Sequence, residues 1–592
     1  MKKFTIFNFQ FSIILFLFFI LYSLFFIPTA KAVVDPLSVP NNRFGIHIIT
    51  ASKDEASPAA DLVNNKGDWG YITVVIERKD RNKDKWQEFF NDLRRRHLIP
   101  IVRLATEPSG ALWKRPDPDE AQKWADFLDS LNWPTKNRYV IVYNEPNHGQ
   151  EWEGEVDAKG YAKILNQTID ALKAKNEDFF VLNAGLDASA PQKLPNYQDE
   201  VTFLEEMNQE VPGIFDKLDG WVSHSYPNPE FSGSPDASGR GTIRTWLWET
   251  QQLRSLGVKK TLPVFITETG WKHAEGLSYD KRYPKAEVLD DYYHKAFSEA
   301  WNISRIVAVT PFLLNYQEYP FDHFSFKTPD SEREPHQHLA GTDSGFGTPT
   351  PIFYPQYDVL KEMPKVFGRP TQIVSAQLQK GEVYSSIVAG ETYSISITFK
   401  NTGQSIWNDS ERIKLVALTS GKELGIADSE IPAGIKIEPG EEYTFQTQIK
   451  APQKGSYNVK LNLFSGDKEF QSKPISFNTE VKLPVILQIL ANLQWKDNFA
   501  GDYILSTSGV IGDLSQKITL DQNGQSPEIE ARHLLPDYAF DFTLEKAFYH
   551  PVTIHKVVKP GLNTLDFGTL EPALLEAITQ PKQLWQLLPF SK

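Results

Sequence analysis

The chain has no cysteine among its 592 residues and only three methionines. Disulfides, thiolate metal sites and thiol nucleophiles are therefore excluded, and stability has to come from packing. No glycine-rich Walker or dinucleotide fingerprint is present, and no cofactor is expected. Positive charge is outnumbered: 62 Lys and Arg against 75 Asp and Glu give a net charge of −13. The one short basic run, Arg94-Arg95-Arg96, falls inside a predicted helix, where it reads as a solvated face rather than as a nucleic-acid footprint. Repeats and low-complexity tracts are also missing.

What is present is a long chain with a heavy aromatic load, 12% aromatic residues and 14 Trp. At about 100 to 200 residues per domain, three or more units are expected. Residues 1–32 open with Met1-Lys2-Lys3, continue as an apolar run from Phe11 to Ile27 and end at Ala30-Lys31-Ala32. These are the charged, apolar and small-residue parts of a secretory signal, or of an uncleaved N-terminal anchor that would tether the chain to the outer face of a membrane. An exported chain without cysteine fits a bacterial source, which makes the sequons at Asn166, Asn302 and Asn408 incidental.

Within residues 40–368, short apolar β-rich runs alternate with amphipathic helical stretches. Strand candidates are residues 44–50, 71–77, 100–105, 139–144, 179–186, 220–226, 263–267 and 306–314. They are continuous apolar runs rather than alternations, as strands buried on both faces require. Between them lie helical stretches such as 83–97, with Trp86, Phe89, Phe90 and Leu93 on one stripe, and 161–175. Eight such units predict an α/β fold, a (β/α)8 TIM barrel. After Pro370 the pattern changes to alternating strands with turn residues, predicting two all-β sandwich domains over 371–481 and 483–592. Asn401-Thr402-Gly403 followed by Trp407 resembles the turn and core Trp of Ig-like modules. The apolar tail from Ala573 to Phe590 is expected to pack on the last sandwich.

In a barrel of this kind the active site lies at the C-terminal ends of the strands. Strand four leaves as Asn144-Glu145-Pro146-Asn147-His148, and strand seven as Glu268-Thr269-Gly270-Trp271. Cleaving a glycosidic bond with retention needs one carboxylic acid for the departing oxygen and one carboxylate, about 5 to 5.5 Å away, to attack the anomeric carbon. Strands four and seven face each other across a barrel mouth. Two nearby carboxylates cannot both ionise freely, so whichever of the two acts as the acid is expected to have a raised pKa.

Asn-Glu ending strand four, Glu ending strand seven and His224-x-Tyr226 on strand six together resemble the large clan of retaining (β/α)8 glycosidases, the cellulase, β-xylosidase and mannanase-like enzymes. The resemblance covers about 320 of the 592 residues. It implies Glu145 as acid/base and Glu268 as nucleophile. Tyr226 is the expected donor to Glu268, and Asn144 is expected to donate to the sugar 2-hydroxyl. His224 belongs to the same set. Arg103 either steadies Glu268 or pairs with Glu77, and His47 either faces the sugar or makes a structural hydrogen bond.

Trp271 is read as a stacking platform, Trp113 and Trp152 as packing residues, and Trp246 and Trp248 as core. Where the clan often has a platform Trp on strand eight, this chain offers Phe312 and Tyr316. The strand-eight insertion, 316–355, is a candidate wall of the site. Its histidines, 323, 336 and 338, have no metal-ligand spacing, so no metal is expected.

The reading is an exported monomeric glycosidase acting on a poly- or oligosaccharide, β-linked, with the sandwiches as spacers or as carbohydrate binders. Two alternatives stand beside it: a surface-displayed binding or adhesion protein on an inactive barrel scaffold, and a transglycosylase. The sugar, the linkage and internal or terminal cleavage depend on loop shape.

Overall fold

The structure is a computed structural model, and it describes residues 33–573 apart from 66, 330–351, 409–410, 451–452, 471–472 and 509–513. The signal or anchor segment, His336, His338 and the tail beyond Ala573 lie outside the described residues. The chain divides into two compact units, Met1–Ile373 and Val374–Lys592. Among the described residues, no helix is long and apolar enough to cross a membrane.

The first unit has eight strands that pair in parallel: β1 (Gly45–Ile48), β2 (Gly70–Glu77), β3 (Leu98–Ala105), β4 (Arg138–Ile141), β5 (Phe179–Leu182), β6 (Trp221–His224), β7 (Val264–Glu268) and β8 (Ile306–Val309). A helix follows each: α1 (Lys53–Asn64), α2 (Lys83–Arg95), α3 (Glu120–Asp129), α4 (Ala158–Lys175), α5 (Glu200–Glu210), α6 (Thr245–Ser255), α7 (Ala286–Lys295) and α8 (Pro355–Glu362). Strands β1 to β5 form one sheet in sequence order, and β6 to β8 form another. Isolated parallel bridges join their edges, Leu182 to Gly220 and Phe44 to Val309.

Why the strands are unbroken apolar runs follows from what each face meets. Tyr71, Ile101, Tyr139, Phe180, Val222, Phe265 and Val307, from seven different strands, pack into one buried cluster. Their chain neighbours Ile72, Val102, Val140, Val181 and Ile266 belong to a second cluster shared with the helices, where Trp86, Phe90 and Trp124 pack. With side chains alternating across the strand, both sets must be apolar.

Five of the runs end earlier than the sequence suggests. β4 stops at Ile141, because Tyr143 and Glu145 beyond it take positive φ values of 71° and 29°, which no strand accommodates. Arg94, expected on a solvated face, is buried; its guanidinium reaches the side chain and carbonyl of Asn132 at 2.6 and 2.9 Å, so it ties α2 to the loop before β4. Trp246 is buried in α6, and Trp248 is half-buried under the Arg240 guanidinium.

Among its described residues, the second unit is all β apart from one short helical turn, with two separate apolar cores. Thr392–Asn401 and Glu442–Lys450 of a three-stranded sheet, with Ile413–Leu418 and Gly455–Ser465 of a six-stranded one, alternate buried and exposed residues around Ile397, Phe445, Leu461 and Trp407. The Asn401 amide bonds the Ser405 and Ile437 carbonyls and so holds the loop that buries Trp407. A second core, around Leu487, Leu505, Phe542 and Leu565, is enclosed by a three-stranded and a four-stranded sheet.

Candidate active site

The C-terminal ends of the first unit's strands surround a cavity of about 480 Å³, a size suited to a small ligand. Glu145 and Glu268 both line it. One carboxylate oxygen from each, together with a ring nitrogen of His224, lie within 4.8 Å of one another. A register shift between Ser223 and His224 sets His224 opposite Glu268 in the β6–β7 pairing. The ring packs so closely on Gly185 that a Cβ there would lie 2.1 Å from it, which only glycine allows.

Glu268 is held from several sides. Arg103 donates to its Oε1 and, through the same Nη1, to Asn144 Oδ1 at 2.7 Å. The Tyr226 hydroxyl donates to Oε2 at 3.1 Å, and His224 Nδ1 stands 3.7 Å from Oε2. Burial would push this carboxyl up, but the His224 and Arg103 charges and the Tyr226 hydrogen bond outweigh it and hold the pKa down to about 2. Glu268 therefore presents an ionised oxygen to the cavity.

Around Glu145 the partners are histidines. His224 Nδ1 is 2.7 Å from Oε1. On the other side His148 Nδ1 lies 3.9 Å from Oε2, while its Nε2 bonds Asp187 Oδ2 at 2.8 Å. Burial pulls both imidazoliums down, yet neighbouring carboxylates more than compensate, and both pKa values are raised. In the same cavity, burial and then the Glu145 charge push the Glu151 carboxyl up to about 7. Glu151 sits in the loop leaving β4, where the nearby Asn144 amide opposes that rise.

Of the residues singled out in the sequence, Arg103 meets Glu268 and not Glu77, which pairs with Lys79 at 2.8 Å. His47 is fully buried, 3.8 Å from Glu268 Oε1 and outside the cavity wall. Burial, followed by the Arg103 charge, lowers its pKa to about 3, so it is neutral beside the carboxylate.

Trp271 corrects an expectation. It is 1% exposed, its Nε1 donates to the Gly233 carbonyl at 2.7 Å, and its ring packs on Tyr292, Tyr293 and Trp301. It is a core residue, because Gly270, at φ 122°, turns the chain before it. Trp113, expected to pack, lies instead half-buried on the cavity wall, and Trp152 borders the cavity while remaining buried. Phe312 and Tyr316 also line it.

Sequence reasoning passed over Glu151, Asp187 and Lys272, all on the wall. Glu151 follows Glu145 by six residues in one loop, and no spacing rule connects them. Glu145, His224 and Glu268 form a donor set that could converge on a cation. Arg103 already supplies positive charge to Glu268, however, and the His224–Glu145 contact already occupies one lone pair.

The chain matches no family model and no curated protein. Solved structures similar to it include a family 39 glycoside hydrolase from the gut symbiont Bacteroides cellulosilyticus WH2, 14% identical, covering 71% of this chain and 82% of that one, TM-score 0.35. Another is the family 30 subfamily 8 xylanase Xyn30A from Clostridium acetobutylicum, 13% identical over 70% and 95%, TM-score 0.31. A third is a double mutant of the Cellulomonas fimi endo-β-1,4-mannanase, 9% identical over 74% and 94%, TM-score 0.30. At such scores these remain likenesses, and no step in the chemistry below rests on them.

Proposed function

We propose that the chain is a retaining glycoside hydrolase built on a (β/α)8 barrel, with Glu268 as nucleophile and Glu145 as general acid/base. The observation that carries the reading is the carboxylate pair at the exits of β4 and β7, with oxygens within 4.8 Å of one another. An inverting enzyme needs about 6.5 to 9.5 Å to admit a water between its carboxyls, whereas direct attack needs the shorter gap.

In the proposed cycle, an ionised oxygen of Glu268 attacks the anomeric carbon while Glu145, sharing a proton with His224, protonates the departing oxygen. A covalent glycosyl ester forms on Glu268. Water then enters, Glu145 takes its proton, and the attack releases the sugar with its original anomeric configuration. Arg103 and Tyr226 keep Glu268 oriented and ionised. Asn144, with its oxygen bonded to Arg103, has a second amide hydrogen available for the sugar 2-hydroxyl. Trp113, Phe312 and Tyr316 are the proposed apolar surfaces for sugar faces. The substrate is a β-linked glycan outside the cell, reached through export directed by residues 1–32, and the two β cores of the second unit are read as sandwich modules.

Intact-mass analysis of the chain after incubation with a panel of 2-fluoro glycosyl fluorides tests the reading. A stable adduct mapped to Glu268 supports it, and the sugar that labels narrows the substrate. Folded protein that no sugar labels would leave the binding-scaffold alternative in its place.

A further inference from the structure

Three Lys and Arg side chains line the cavity wall, and two are already engaged. Arg103 bonds Glu268 and Asn144, and Lys114 bonds Glu107 at 2.7 Å. Lys272, four residues beyond Glu268, is different. Among the described residues it pairs with no carboxylate. Its ammonium lies instead over aromatic rings, with centroids at 5.1 Å for Phe231, 5.3 Å for Tyr283 and 5.4 Å for Phe324. Its only hydrogen bond there is a long one, 3.5 Å to the Tyr283 hydroxyl.

Ring faces hold a cation in place electrostatically but accept no conventional hydrogen bonds. The ammonium therefore keeps donors for a ligand, and its partial burial, which lowers its pKa, is opposed by any anion brought against it. Phe231 and Phe324 are also cavity walls, and the Tyr226 ring packs against both at 4.9 and 6.0 Å. One aromatic layer thus separates Lys272 from the hydroxyl that holds Glu268. Elsewhere the wall carries the carboxylates of Glu268 and Asp187, so a negatively charged substituent would be repelled from them and attracted to the ammonium.

We infer that Lys272 is the subsite for an anionic group carried on the sugar, a carboxylate or a sulfate, and that the substrate is an acidic glycan. This rests on the proposed carbohydrate chemistry of the same cavity and adds the class of substrate to it.

The test uses the full chain with Glu268→Gln, so that ligands bind without turnover. Calorimetric titrations compare uronate oligosaccharides from glucuronoxylan and from polygalacturonate with their carboxyl-reduced forms, and sulfated galactan oligosaccharides with their desulfated forms. At least one acidic ligand is expected to bind about tenfold more tightly than its neutral counterpart, the scale of one charge-assisted contact. Adding Lys272→Met should abolish that difference, and Lys272→Arg should retain it; Lys272→Gln replaces the Met variant if the latter does not fold. A response to uronates alone assigns a carboxylate, and one to the sulfated ligand alone assigns a sulfate. Equal binding of acidic and neutral forms, no binding of any acidic ligand, or a preference that survives Lys272→Met overturns the inference. Neutral glycans that bind, or a Glu268 adduct formed in the parent chain, would leave the glycosidase reading standing in that event. No glycan binding and no adduct would remove both.

Discussion

Two pairs of carboxyl groups flank strand β6, and burial has opposite outcomes at Glu268 of one pair and at Glu200 and Glu249 of the other. Glu145 and Glu268 lie at the strand ends, where His224 reaches both. Glu200, opening α5, and Glu249, on α6, lie fully buried against each other, with Trp221 Nε1 donating to Glu249 at 3.1 Å. Burial opposes charge at both places. At Glu268 the cations overcome it, and the carboxyl stays near 2. Burial raises Glu200 well above the usual carboxylate range, with the Glu249 charge adding to it, and raises Glu249 to about 7. Arg240, whose charge reaches Glu200, is itself bonded to Asp199 at 2.6 Å. Desolvation thus sets the default, a neutral acid, and a cation in contact is what makes a buried carboxylate available for chemistry.

The largest effect should come from removing the ionised member. Glu268→Ala is expected to lower kcat by roughly 10⁴-fold or more on every substrate, whereas Glu145→Ala should spare aryl glycosides whose leaving group needs no proton and should respond to azide. Steady-state rates on activated and unactivated glycosides check this, and equal loss without rescue would exchange or discard the roles.

Arg103→Met sharpens the comparison by making Glu268 more like Glu200. A loss of roughly 10²-fold in kcat/KM is expected. The acidic limb of the kcat/KM profile should also move up by about 1 to 3 pH units, because losing the cation raises the Glu268 pKa. A limb that stays in place would mean that Arg103 only positions the carboxylate. Tyr226→Phe should cost roughly tenfold in kcat/KM, the worth of one hydrogen bond to a charged group, with the melting temperature unchanged.

The smallest effect concerns the pair with no cation in contact. Glu200 and Glu249 hold protons in the folded chain that the unfolded chain releases near 4.5. Their contribution is complete below that pH and is lost as pH rises through about 7. Replacing Glu200 with Gln should flatten this dependence, recovering roughly 3 °C of the decline in Tm between pH 5 and pH 8. An unaltered slope would show that Glu200 does not carry this dependence.

The eight strands of the first unit were readable because burial on both faces writes a continuous apolar run, and the helices because their stripes repeat at helical spacing. Asn144, Glu145, Tyr226 and Glu268 were readable because each follows a strand whose end is marked by the loss of that run. Trp271 was misread for a related reason: position after a strand says where a residue begins, not which way the chain turns, and Gly270 turns it inward. Trp113 was misread in the opposite sense, since it comes from a short hairpin, Pro108–Ser109 with Leu112–Trp113, that has no apolar run to announce it.

The sequence by itself determined the alternation of strands and helices, the two β-rich cores and the four polar residues at strand exits, because these follow from local periodicity and from where hydrophobic runs stop. Only the tertiary structure decided that Arg103 bonds Glu268 rather than Glu77, that Glu145 lies between two histidines, that Glu151 joins the same cavity, and that Lys272 pairs with no carboxylate among the described residues. Those outcomes depend on which side chains from distant segments converge within a few ångströms, and that convergence is what fixes the charge each group carries.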